Sequence, residues 1–208
     1  MNGYYINLDH RTDRKIHFDK NVKSNPFFKN INRFSAIKES KGYIGCSKSH
    51  IGVLQKCLDI DGEYFMICED DLQINNNESL ENFITNFNKI KNVDKWDLIT
   101  LTPYYCQLHH EQDNTMIQCN FIRLITSQTA SGYIIKKNFI KILLDNFKYS
   151  MNKLSKGEQY SVYALDQYWK NLFRSHNIYA FKNTINTYNL HILLNYQNNL
   201  VIEMQRYF

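Results

Sequence analysis

Glycine and proline are scarce. The 208 residues hold 7 Gly and 2 Pro, which excludes collagen-like repeats and Pro-rich low complexity. No stretch approaches ~18 consecutive apolar residues, so no membrane-spanning helix is expected. An apolar leader is missing at the start as well: Tyr4, Tyr5, Ile6 and Leu8 are interrupted by Asn7 and Asp9, which reads as a strand and not as a signal peptide. The five cysteines (Cys46, Cys57, Cys68, Cys106 and Cys119) are odd in number and no two are spaced C-x-x-C, so neither a disulfide framework nor a zinc knuckle is supported. Buried reduced thiols and a cytoplasmic location are the expectation. Arginine supplies only 6 of the 25 basic residues and no run of five or six like charges occurs. The net charge of +5 therefore reads as a solvated Lys-rich surface, and no nucleic-acid partner is expected.

Apolar material is plentiful. Hydrophobic residues make up 43% of the chain and aromatics 14%, enough for a sizeable core and against global disorder. The frequent Asn, Ile, Lys, Tyr and Phe share AT-rich codons and reflect the genome, which suits a low-GC bacterium or a large DNA virus.

Short apolar runs alternate with helical patterns. Strands are expected at Gly3–Leu8, Arg33–Ile37, Tyr64–Cys68, Trp96–Leu101, Phe121–Ile125, Gly132–Ile135 and Ile178–Phe181. Helices are expected at Ser47–Asp59, with Ser47 as N-cap, and around Leu80–Ile90, Phe139–Phe147 and Tyr163–Phe173. Pro103–Asn114 reads as a long loop and Ser150–Glu158 as a polar connection. The alternation predicts an α/β domain with a mostly parallel central sheet flanked by helices.

Three segments carry chemistry. In Cys68-Glu69-Asp70-Asp71-Leu72, three carboxylates close a buried strand and repel one another, so a divalent cation is a natural counter-charge. Strand alternation would put Glu69 and Asp71 on one side and Asp70 on the other. Hard oxygen ligands favour Mg²⁺ or Mn²⁺. A solvated acidic turn is the plain alternative. In Asn7-Leu8-Asp9-His10-Arg11-Thr12-Asp13-Arg14, Asn, Asp and two Arg could hold a base, a ribose and a diphosphate, or form a polar turn with surface ion pairs. In Gly45-Cys46-Ser47-Lys48-Ser49-His50, the expected helix N-terminus offers free N–H groups to a phosphate, or is an ordinary capped helix.

Taken in order, YYINLDHRTDRK, the strand ending in Ala36-Ile37, GCSKSHIGVLQKC and YFMICEDD resemble glycosyltransferase family 25. The resemblance continues through Trp96-Asp97 and Gly132-Tyr133 to Asp166. It implies a GT-A-type fold, a single domain over residues 1–208, with 1–125 mainly the UDP-sugar and metal half and 126–208 mainly the acceptor half. It also implies a UDP-sugar donor and Mn²⁺ (or Mg²⁺) held by Glu69, Asp71 and His191. Donor contacts fall on Asn7, Asp9, Arg11, Arg14, Ser49, His50, Asp70, Gln128 and Gly132, with Asp166 as the catalytic base. The implied reaction moves galactose or glucose to a hydroxyl of a glycan or of collagen-type hydroxylysine. The expected partners are thus a UDP-hexose and a glycan or collagen-like acceptor; a homodimer is left open. A catalytically inactive module that holds UDP or a glycan is the alternative. His109-His110-Glu111 is a rival metal cluster on one loop.

Overall fold

The computed structural model describes residues 1–74 and 76–182 with their side chains, and the backbone of 190–195 and 199–204. His191 falls outside the residues whose side chains are described.

One sheet organises the chain. Its strands are β1 (Asn2–Asn7), β2 (Asn30–Ser35), β3 (Tyr64–Glu69), β4 (Leu98–Thr100), β5 (Tyr104–Leu108), β6 (Phe121–Gln128), β7 (Gly132–Lys136), β8 (Ile178–Phe181), β9 (Leu190–Asn195) and β10 (Asn199–Met204). They lie in the order β2-β1-β3-β7-β4-β8-β6-β5-β10-β9. The parallel pairs are β1 with β2, β1 with β3 and β4 with β8. β7 is inserted against β3 and β4, and β6 runs against β8. The expected α/β class holds, but the sheet is mixed. Gly132–Lys136 crosses the middle of the sheet antiparallel to both of its neighbours, β3 and β4.

Alternation along the strands splits the core into two layers. On β3, Phe65 and Ile67 face one layer while Met66 and Cys68 face the other, all fully buried. The first layer is covered by α2 (Gly42–Leu58) and α5 (Lys137–Ser155), through Val53, Leu54, Phe139, Leu143 and Phe147. The second is covered by α1 (Thr12–Asn21) and α3 (Asn77–Ile90), through Phe18, Phe83, Phe87 and Ile90. Each such aromatic or aliphatic side chain contributes about 1.5–3 kcal/mol by leaving water. Gly3 sits where β1 meets β3: a Cβ there would lie 1.9 Å from the Met66 carbonyl oxygen.

Several boundaries differ from the sequence reading. α2 begins five residues before Ser47, with Lys41 at the N-cap. Ser47 is therefore an interior residue whose hydroxyl donates to the Tyr43 carbonyl at 2.9 Å. Part of the expected 103–114 loop is β5, paired with β6 through irregular register and a left-handed Tyr105 (φ 45°). A short helix, α4 (Asn114–Gln118), follows it, capped by Asp113. α5 runs on through Ser155, into the expected polar connection. The expected 163–173 helix is broken at extended Ala164 (ψ 144°) into α6 (Tyr160–Tyr163) and α7 (Leu165–Tyr168), followed by one 3-10 turn over Trp169–Leu172.

Candidate functional site

β1, β2 and β3 end together, and open α/β sheets receive ligands beyond such carboxyl ends. A cleft of about 200 Å³ opens there. It is lined by Arg11, Arg14, Lys38, Ser49, His50, Glu69 and Asp70, with apolar Ile6, Leu8 and Ile37.

Asn7, the last residue of β1, is 1% exposed. Its amide donates to Asp70 Oδ2 at 2.7 Å and to the Arg11 carbonyl at 3.0 Å. Its side-chain oxygen accepts from Arg33 Nε at 2.8 Å, and its carbonyl accepts from Arg33 Nη2 at 3.1 Å. Both polar atoms of this side chain have protein partners, so Asn7 fixes the strand ends. Asp9 is likewise held: Oδ1 accepts from Arg33 Nη2 and from Ser35 Oγ, both at 2.6 Å. These two bonds, first Ser35 and then Arg33, hold its carboxyl below the usual range. Arg33 joins β1, β2 and the following turn, and the sequence reading missed it. The signal was an arginine inside the edge strand β2, two residues before its end.

The acidic run divides by role. Glu69 ends β3, and its backbone N–H donates to the Ser131 carbonyl at 2.7 Å. Its Oε1 lies 3.4 Å from His50 Nε2 and 3.6 Å from Cys46 Sγ. Burial raises the Glu69 carboxyl, but hydrogen bonding and charge from His50, with the Cys46 bond, outweigh it and hold it below the ordinary range. Asp70 is buried and accepts from Arg14 Nη1 at 2.9 Å as well as from Asn7. Asp71 is half-exposed, 3.4 Å from the same guanidinium. Its carboxyl is raised by burial and then by Glu69 and Asp70. Negative charge at Asp71 thus exceeds what Arg14 offsets, and its hard oxygens fit a divalent cation.

The other expected residues are placed as follows. Arg11 lines the cleft and makes a two-pronged pair with Asp13 (2.9 and 2.7 Å). Ser49 lies inside α2, so the segment Gly45–His50 is not a helix N-terminus and gives no cradle of free N–H groups. Ser49 Oγ donates to the Gly45 carbonyl at 2.7 Å and accepts from Ile37 N at 2.8 Å, tying α2 to the cleft's apolar wall. Gln128 and Gly132 flank the β6–β7 link and do not line the cleft. Asp166 on α7 accepts from Thr129 N at 3.4 Å, and its charge reaches Cys46 and Tyr160. Thr129 is held left-handed (φ 65°) there. His109 accepts from the Glu111 N–H at 3.0 Å and stacks on His110, an exposed turn satisfied by its own bonds.

A family model described as glycosyltransferase family 25 (LPS biosynthesis protein) matches residues 23–169. The chain belongs to glycosyltransferase family 25. As a member of that family it is a glycosyltransferase. No curated protein matches it. Among solved structures, this family 25 chain is similar to a glycosyltransferase involved in the glycosylation of the major capsid of PBCV-1. Identity is 12%, with 77% of this chain and 72% of the other covered at a TM-score of 0.47. It is also similar to mannose-1-phosphate geranyltransferase from Thermus thermophilus, at 7% identity over 86% and 58% of the two chains, with a TM-score of 0.42.

Proposed function

We propose that this glycosyltransferase moves a hexose, galactose or glucose, from a UDP-sugar to a hydroxyl of a glycan or of collagen-type hydroxylysine or galactosyl-hydroxylysine, with Mn²⁺ as cofactor. One observation carries this reading. The cleft at the carboxyl ends of β1 to β3 sets Arg11, Arg14 and Lys38 beside the acidic end of β3. A nucleoside diphosphate needs cations along its oxygens and a divalent ion at its leaving group; the cleft offers the cations and Glu69, and Asp71 follows directly after its lining residue Asp70.

Asp71, with Glu69, would hold Mn²⁺ or Mg²⁺. When bound, such an ion supplies Lewis-acid neutralisation of the departing diphosphate. Arg14 is kept extended toward the cleft by its bond to buried Asp70, so its planar fork is pre-organised for phosphate oxygens. Ile6, Leu8 and Ile37 form an apolar wall suited to the face of a uracil. Asp166 accepts the proton of the acceptor hydroxyl if the transfer inverts the anomeric carbon, and orients that hydroxyl if it retains it.

A donor-by-acceptor screen tests this reading. UDP-galactose and UDP-glucose are paired with hydroxylysine peptides, galactosyl-hydroxylysine peptides and lactose-type glycans, and the added hexose is read by mass spectrometry. One added hexose on one acceptor class supports it. No transfer to any acceptor, together with no binding of UDP, sinks it.

A further inference from the structure

We propose that Cys46, His50 and Glu69 form a binding site for a thiophilic divalent ion of the Zn²⁺ class, which shares Glu69 with the hard-cation position at Asp71. Cys46 and His50 are four residues apart on α2, so they stand on one helix face, a turn apart. Glu69 meets them from the end of β3. The three ligand atoms lie within 4.8 Å of one another. The two measured edges, Sγ to Oε1 at 3.6 Å and Nε2 to Oε1 at 3.4 Å, match the spacing of ligands around a tetrahedral ion. Metal–ligand bonds of about 2.0–2.3 Å place neighbouring ligands roughly 3.3–3.8 Å apart.

The imidazole is already oriented for the task. His50 and Tyr133 are both fully buried, and His50 Nδ1 lies 3.1 Å from the Tyr133 hydroxyl. A hydrogen bond at Nδ1 leaves Nε2 as the ring nitrogen that faces Glu69, where a metal ion would replace the present 3.4 Å contact. Metal-bound histidines are held in this way, with the second nitrogen bonded to an outer partner. Stacking of the two rings at 5.9 Å fixes the same orientation.

Ligand chemistry selects the ion. One thiolate, one imidazole and one carboxylate suit Zn²⁺ or Co²⁺ better than Mn²⁺ or Mg²⁺. On binding, the Cys46 thiol releases its proton to solvent and its sulfur takes the metal in place of the Glu69 hydrogen bond. All three residues line the cleft, so the fourth coordination position opens into it. An ion seated here draws Glu69 away from Asp71 and occupies the space beside Arg14. Zn²⁺ is thus expected to inhibit Mn²⁺-supported transfer, a consequence that rests on the proposed reaction; the binding itself does not.

The test uses the full reduced chain and Co²⁺ as the probe. One equivalent of Co²⁺ should give a thiolate-to-metal charge-transfer band, and one equivalent of Zn²⁺ should abolish it. Cys46→Ser should lose the band while keeping the wild-type melting curve. His110→Ala and Asp71→Asn should keep it, which separates this site from the exposed histidine turn and from the donor's metal. Should Cys46→Ser fail to fold, alkylation of the wild type by iodoacetamide gives the same answer: Zn²⁺ must slow modification of Cys46 at least tenfold. Absence of the band, a band that survives Cys46→Ser, or unchanged alkylation overturns the proposal. The band without any UDP-hexose turnover counts only against the proposed reaction, and turnover without the band counts only against this site.

Discussion

Asn7 and Arg33 do for the site what no residue in the cleft does for itself: they hold three strand ends in one register through bonds of 2.6–3.1 Å. Arg33→Ala removes two donors from a buried Asn and one from Asp9. The expected cost is about 1–3 kcal/mol, as for orphaned buried polar groups, read in urea unfolding, together with a raised KM for the donor. Asp71 should behave in the opposite sense. Its folded carboxyl is raised by burial and by Glu69 and Asp70, so its charged form costs stability above the folded pKa, and that cost vanishes as pH falls below the unfolded value. Asp71→Asn is therefore expected to melt higher than wild type at pH 7 and level with it in acid. Glu69, held low, contributes stability that is present above the ordinary glutamate range and lost as pH falls through its folded pKa. A melting curve for Asp71→Asn that falls below wild type at pH 7 would contradict the repulsion read at this turn.

At the scale of elements, glycine decides how closely the pieces meet. A Cβ on Gly45 would sit 2.5 Å from the Ile37 carbonyl oxygen, so Gly45→Ala must push α2 off the cleft wall. A loss of about 1–3 kcal/mol, typical of overpacking, is expected in thermal or chemical unfolding, with weakened UDP binding by calorimetry. Unchanged stability and binding would show that the wall yields freely. Elements with strong patterns were legible in the sequence. The apolar Tyr64–Cys68 run is β3, and the Leu80, Phe83, Phe87, Ile90 stripe is the buried face of α3. The start of α2 was not, because Gly42 and Gly45 look like loop residues; Gly45 belongs in the helix because it gives close contact with Ile37. β5 was hidden by its short length and bulged pairing within a long polar and aromatic segment, and the break at Ala164 by a helical periodicity that tertiary packing overrides. Trp169 shows that packing: its indole N–H donates to the Ser127 carbonyl at 2.9 Å. Site residues were legible as types at strand ends. Their division of labour was not, since whether Asn7 faces a ligand or the protein depends on Arg33 arriving from another strand.

For the whole molecule, two core layers back the strands whose ends form the cleft, one on each face of the sheet. Phe83 joins Phe27, Phe87, Phe121 and Phe181 in the layer beneath α3. Phe83→Ala should cost about 3–5 kcal/mol and lower Tm by roughly 2–4 °C per kcal/mol, with little change in KM for protein that remains folded. The proposed reaction requires the acidic end of β3 to make UDP-sugar cleavage metal-dependent. Its most direct test is UDP release from UDP-galactose and UDP-glucose, with Mn²⁺ and with chelator, for wild type and Asp71→Ala. Wild type is expected to release UDP in a Mn²⁺-dependent way, and the variant to lose about 10²–10³-fold, the scale of removing one electrostatic stabiliser. Release that is indifferent to Mn²⁺, or that Asp71→Ala leaves unchanged, would contradict it.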